Sequence, residues 1–221
     1  AFRRVLPDVA GGGGRVTRRY IVDTTLRDGE QCPGLAMDTG TKLRLMALLE
    51  ALGVTQIEAG TPALGECEAV SLKALIHARR RARIATWNRM LEADLQTSFR
   101  LGPDVIHISA PVSPLMMRKK LGRDPAWVKA RLLDAVDWAR GRGYEVSVGL
   151  EDASRADPDF LSDLLQSVRG LGVARARYAD TVGLLTPLEA KDRVRRLIRR
   201  GAPPLQMHAH NDLGMAVANT L

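Results

Sequence analysis

Residues 145–187 read EVSVGLEDASRADPDFLSDLLQSVRGLGVARARYADTVGLLTP, and this stretch sets the fold. Glu145–Leu150 is a short apolar run carrying Val146 and Val148, which suits a strand. Asp157-Pro158 follows, a capping side chain ahead of a proline, which is how helices start. An amphipathic stretch leads on to a second apolar run, Val173–Tyr178. A strand, a helix and a strand in this order make a parallel pair, because the crossover helix returns the chain to the same end of the sheet. Thr186-Pro187 then repeats the helix-start signal.

The same pattern extends in both directions. Upstream apolar runs are Tyr20–Val22, Val54–Glu58, Arg83–Trp87 and Val105–Ile108, and Leu205–Met207 lies downstream. Thr41–Leu52 is a helical pattern with Leu45, Leu48, Leu49 and Leu52 on one face. Pro125–Arg140 is another, with Val128, Leu132, Leu133, Val136 and Ala139. Seven strand–helix units at a spacing of roughly 20 to 40 residues predict an α/β fold, a (β/α)₈ TIM barrel truncated after strand 7. The alternative is an open doubly wound sheet. That fold carries a glycine-rich phosphate loop after its first strand, whereas Gly11 to Gly14 precede it here. A last helix begins around Gly214–Thr220. Seven strands leave two open edges, so the chain reads as a fragment or as one subunit completed by a second chain or a homo-oligomer. Residues 1–18 predict a disordered N-terminal tail, and residues 19–221 an incomplete TIM-barrel catalytic domain.

Composition narrows the function classes. The chain has 221 residues, 45% hydrophobic and 26% charged, which suits one soluble core. No apolar run approaches the ~20 residues that span a bilayer, so no membrane role is expected. Residues 1–18 lack the apolar middle of a signal peptide. Cys32 and Cys67 fit no zinc or redox spacing, and a cytoplasmic protein without a disulfide is expected. The net charge of +8 is compatible with nucleic acid. However, the arginines are scattered through helical patterns such as Arg79–Arg81 and Arg193–Arg200, and aromatics are only 4%. Without stacking aromatics the charge fits anionic small substrates better.

Two segments can carry chemistry. The first strand runs into Asp23-Thr24-Thr25-Leu26-Arg27-Asp28-Gly29-Glu30-Gln31, a charged cluster at the C-terminal end of a strand, where barrels place their active sites. The seventh runs into His208-Ala209-His210-Asn211-Asp212. Residues i and i+2 of a strand share a face, so two imidazoles point the same way and can share a metal. With Asp28, two neutral nitrogens and one carboxylate suit a divalent ion (Mg²⁺, Mn²⁺ or Zn²⁺) that keeps positions open for substrate. The competing reading is a pair of surface or interior histidines. Of the other histidines, His77 falls in a helical pattern at the surface. His107 lies in an apolar strand, where packing inside the barrel or lining the pocket are both open.

DTTLRDGEQ and HAHND together resemble the acyltransferase–lyase barrels that include isopropylmalate, citramalate and homocitrate synthases. The resemblance runs from Tyr20 onward and includes Ile57–Pro62, Glu151–Arg155 and Ala179–Gly183. His107–Ser113, with Lys120-Leu121 and Trp127, is similar to the homocitrate synthases of nitrogen fixation. The resemblance implies condensation of acetyl-CoA with a 2-oxo acid, 2-oxoglutarate foremost, with pyruvate and 2-oxoisovalerate as alternatives. It implies Asp28, His208 and His210 as metal ligands, and Arg27 as the catalytic group that stabilises charge on the reacting oxygen. Gln31, Glu151 and Thr181 match positions that line the substrate pocket. Arg118 is a candidate partner for a distal carboxylate, because arginine binds carboxylates through two bonds; otherwise it is a solvated member of the Arg118-Lys119-Lys120 run. The family's eighth strand and C-terminal region have no counterpart in the sequence, and no general base for acetyl-CoA is identifiable. Weak or no turnover by the chain alone is therefore expected. The opposing class is a non-catalytic remnant, which would have no need to keep Arg27, Asp28, His208 and His210 together.

Overall fold

The computed structural model describes residues 20–221; the expected tail over residues 1–18 lies outside them. Seven parallel strands follow one another in space as in sequence: β1 (Val22–Asp23), β2 (Gln56–Gly60), β3 (Arg83–Arg89), β4 (Val105–Pro111), β5 (Glu145–Glu151), β6 (Arg175–Asp180) and β7 (Leu205–Ala209). Between them run α1 (Thr39–Ala51), α2 (Glu66–Ala78), α3 (Glu92–Leu101), α4 (Pro114–Met116, continued by a π-turn over Met117–Leu121), α5 (Pro125–Arg140), α6 (Pro158–Gly170) and α7 (Pro187–Arg199), and α8 (Ala216–Thr220) follows β7. This sequential order is that of a barrel; a doubly wound sheet reverses direction partway across.

The sheet is curled, and side chains prove it. β2 and β6 are four strands apart, about 19 Å in a flat sheet at ~4.8 Å per strand. Yet Arg177 Nη2 lies 2.5 Å from Glu58 Oε2, and Arg175 Nη1 donates to Gln56 Oε1 at 2.9 Å. Among the described residues, β1 pairs only with β2 and β7 only with β6, so both outer edges are open.

Alternation along the strands separates two environments. Val146, Val148 and Leu150 of β5, Ile106, Ile108 and Ala110 of β4, and Ala176 and Tyr178 of β6 pack into the main hydrophobic core. A second core, under α1 and α2, holds Leu26, Met46, Ile57, Leu72, Leu75 and Ile84. The interior of the curl is polar instead. Glu145 accepts from Arg83 (2.7 Å) and Arg175 (3.0 Å) near its base, and Glu58 binds Arg177 and Arg27 one layer up. Barrel interiors are usually filled by branched aliphatic side chains. Here ion pairs fill the space.

The helix starts follow the sequence. Asp157 caps α6 by accepting from the N–H groups of Asp159 and Phe160, and Thr186 forms a capping box with Glu189 on α7. Helix α1 departs from the expected apolar face: Leu48 and Leu52 are exposed. Leu45 and Leu49 of that face do pack, partly buried, against the second core, while the most buried positions are Lys42, Met46 and Glu50. Lys42 Nζ pairs with Glu30 (2.7 Å) and Glu68 (2.8 Å). Glu50 Oε1 accepts the backbone N–H groups of Arg80, Arg81 and Ala82 at 2.7–2.9 Å, pinning the entry to β3. These buried pairs, rather than leucine count, choose the face.

Candidate metal centre and substrate cavity

After β1 the chain winds a tight turn in which the Thr24 carbonyl accepts from the N–H groups of Arg27, Asp28 and Gly29 (3.1, 2.8 and 3.2 Å). The turn sets Arg27 and Asp28 side by side at the C-terminal mouth of the curl. His208 stands in β7, and His210 follows it on the same side. Asp28 Oδ2 lies 3.5 Å from His208 Nε2 and 3.9 Å from His210 Nε2, and the two imidazole nitrogens are 3.3 Å apart. Ligand atoms of all three fall within 4.8 Å of one another.

The donor set fits one divalent ion. Two ligands each ~2.1 Å from an ion and at right angles are about 3 Å apart, close to the gaps found here. The Arg27 guanidinium does not occupy the space, because its Nη1 is bound to Asp28 Oδ1 (2.9 Å), leaving Oδ2 for the histidines. A hydrogen bond with His208 holds the Asp28 carboxyl below its usual range, with Arg27 adding to this and burial opposing it. The carboxylate is thus ionised and ready to ligate.

Arg27 is held from three sides. Its Nε donates to Glu58 at 2.6 Å, its Nη1 to Asp28, and its guanidinium lies 5.5 Å from the Trp87 ring centre. Among the described residues its Nη2 makes no hydrogen bond, so one N–H edge is left for a ligand. Glu58 is fully buried. Burial pushes its carboxyl up, but the permanent charges of Arg177 and Arg27 outweigh this and hold it well below the carboxylate range.

Below the triad lies a cavity of about 210 Å³. Gln31, Glu151 and Thr181 line it, as does His107. Thr181 Oγ1 accepts from the Asp152 N–H at 2.9 Å, which fixes the loop after β5. Burial, then Arg177, pushes the His107 imidazole far below its usual value, so it is neutral. Its Nδ1 is 2.8 Å from Ser147 Oγ, so this histidine both packs inside the curl and lines the pocket.

Arg118 is the candidate that the fold leaves out. It is exposed and lines a separate surface groove with Met117, Gly122 and Arg123. Two residues along a helical turn do not share a face, so the winding of Met117–Leu121 turns Arg118 away and brings Lys120 in. Lys120 Nζ contacts both Glu151 oxygens at 2.8 Å at the cavity wall. The sequence reading also passed over Glu58, Trp87, Ser109 and Arg177. A charged or polar residue alternating with apolar ones in a strand was the available signal for three of them.

Cys32 and Cys67 are free and exposed, and among the described residues no helix is long and apolar enough to cross a membrane.

Comparison with known proteins bears on this geometry. The HMGL-like family model matches residues 18–221. The chain is 49% identical over 199 residues to a homocitrate synthase from Frankia alni, covering 90% of this chain and 57% of that one. It is 44% identical over 200 residues to a homocitrate synthase subunit alpha from Clostridium pasteurianum, covering 90% of this chain and 74% of that one. The chain thus spans little more than half the length of the Frankia alni relative. The hydroxymethylglutaryl-CoA lyase of Pseudomonas aeruginosa has the same fold, with a TM-score of 0.79 at 20% identity, covering 90% of this chain and 70% of that one. The matched sequence carries both halves of the triad, and the chain belongs to the HMGL-like family of TIM barrels.

Proposed function

We propose that this chain holds the metal and 2-oxo acid side of an enzyme that condenses acetyl-CoA with 2-oxoglutarate to give homocitrate. The observation that carries the proposal is the convergence of Asp28 Oδ2, His208 Nε2 and His210 Nε2 beside the open Nη2 edge of Arg27, above a polar cavity. Relatives named homocitrate synthase support the reaction class. A divalent ion on the triad would supply Lewis acidity toward the substrate ketone. Arg27 faces the oxygen that gains negative charge as the acetyl carbon bonds to the ketone carbon, and Glu58 and Asp28 keep it aimed there. Gln31, Glu151 and Thr181 shape the wall against which the 2-oxo acid lies.

Charge favours a diacid. Arg27, Lys120 and Arg177 are balanced by Asp28, Glu58 and Glu151, so a divalent ion leaves two positive charges. 2-Oxoglutarate carries two negative charges, whereas pyruvate and 2-oxoisovalerate carry one. Other relatives are named 2-isopropylmalate synthase, at 38% identity, and (R)-citramalate synthase, at 36%, so these substrates belong in the same assay.

No side chain among the described residues is assigned to remove the acetyl α-proton, and weak turnover by residues 1–221 alone follows. The Clostridium relative's name, subunit alpha, supports a partner chain that supplies what is missing. Calorimetric titration of the chain with 2-oxoglutarate tests the reading. Binding that requires Mn²⁺ and disappears in His208→Ala supports it. Absence of binding with Mn²⁺ present overturns it.

A further inference from the structure

The turn after β1 has one inward anchor that the cavity does not use. Residues 29–36 are exposed apart from Glu30, and Glu30 does not line the cavity. Its Oε1 accepts the Met37 N–H at 2.9 Å, and its Oε2 lies 2.7 Å from Lys42 Nζ on α1. Lys42 is 2% exposed and meets a second carboxylate, Glu68 Oε2 of α2, at 2.8 Å. Burial pushes its ammonium down, but the bonds to Glu30 and Glu68 outweigh this and hold it above its usual value. Glu68 Oε1 accepts the Thr61 N–H at 3.1 Å and covers the bare face of Gly60, where a Cβ would overlap it. The turn, α1, α2 and the loop after β2 therefore meet at one buried ammonium. One carboxylate is enough to neutralise that ammonium. The second is surplus to charge balance and has its own desolvation cost. What Glu30 adds is a tie on the turn itself, between Asp28 and Gln31.

We propose that Glu30 is a positioning residue for the metal centre: held by Lys42, it fixes the turn on which Asp28 and Gln31 stand, while touching neither ion nor substrate. This rests on the metal site proposed above. Asp28 Oδ2 lies 3.5 and 3.9 Å from the two histidine nitrogens across the mouth of the curl. A turn free to drift opens those gaps and weakens the carboxylate as a ligand, because a site is only as precise as the residues that support it.

The test is calorimetric titration of the full chain with Mn²⁺, beside urea unfolding and hydrogen exchange of the same samples. Glu30→Ala leaves Lys42 and Glu68 paired one to one, so it strands no charge. Its Mn²⁺ affinity falls about tenfold, the scale of a lost supporting residue. Amides of residues 28–31 exchange faster in it, and those of β4 to β6 keep their wild-type rates. Glu30→Gln keeps the shape and serves where Glu30→Ala does not fold. A carboxamide offers one acceptor oxygen where Lys42 Nζ and the Met37 N–H need two, so its Mn²⁺ affinity falls about threefold, the scale of one neutral hydrogen bond. A residue that only stabilised the fold would lower the urea midpoint and leave the Mn²⁺ affinity of the folded chain at the wild-type value. That result in either variant overturns the positioning role and leaves the metal site standing. Faster exchange spread evenly over the sheet also overturns it. A wild type that binds no Mn²⁺ overturns the metal site and the positioning role together.

Discussion

Strands β4 to β6 and strands β1 and β7 do opposite jobs with opposite materials. β4 is buried along its whole length and β5 and β6 at all but their ends, with a paired neighbour on each side. β1 is two residues long, and no residue of β1 or β7 is fully buried. The well-packed middle holds the polar floor of the cavity, where the buried charges of Arg177 and Glu58 are paired with each other. The looser edges hold the proposed metal ligands, Asp28 in the turn after β1, His208 in β7 and His210 just past its end. The triad reaches from one outer edge of the sheet to the other. The middle is thus held by packing, and Asp28, His208 and His210 join side chains from the two outer strands.

The largest effect expected from this contrast is on metal affinity. His208→Ala and His210→Ala each lower Mn²⁺ affinity by more than about 100-fold, beyond the range seen when only a supporting residue is lost. Calorimetry measures it, and an affinity within tenfold of wild type would place the ion elsewhere. Next comes the middle. Glu58→Ala leaves Arg177 buried without its partner, and a loss of about 3–5 kcal/mol is expected in urea unfolding. A smaller loss would show that the interior ion pairs are hydrated.

Glu50 gives a pH signature. Burial raises its carboxyl, but the N–H groups of Arg81, Ala82 and Arg80 outweigh this and hold it below the ordinary value of 4.5. A lowered folded pKa means stability that is complete above about pH 4.5 and fades as pH falls through the folded value. The wild-type urea midpoint therefore drops more steeply than that of Glu50→Gln between pH 5 and pH 3. Parallel profiles would contradict the assignment. The smallest effect is at α7, where Thr186→Ala removes the capping box and costs about 1 kcal/mol. Equal midpoints would show that the cap contributes nothing measurable.

The sequence made β5, α6 and β6 readable because each boundary carries a physical marker: an apolar run, then Asp157 before Pro158, then a second run. Several strands end further along the chain than that reading placed them. β4 continues through Ser109 to Pro111 and β6 through Asp180, because polar residues facing the cavity extend the ladder past the apolar core. That His208 and His210 lie side by side was readable from their i, i+2 spacing. The bond between Glu58 and Arg177 was not, since it joins residues 119 apart in sequence and depends on how tightly the sheet curls. The choice of Lys120 over Arg118 turned on two positions within one π-turn, a detail of winding that charge type cannot reveal. The face of α1 was only half legible for a related reason: Leu45 and Leu49 pack inward as expected, but Lys42 and Glu50 are buried because partners from α2 and the β3 entry meet them.

Hydrogen exchange with and without Mn²⁺ tests the central claim, that Asp28, His208 and His210 hold one ion across two open edges. Added Mn²⁺ is predicted to raise protection in Val22–Asp23, the Arg27–Gly29 turn and Leu205–Ala209, leave β4 to β6 unchanged, and do nothing in Asp28→Ala. Protection spread evenly over the sheet, or gained equally by Asp28→Ala, would contradict it.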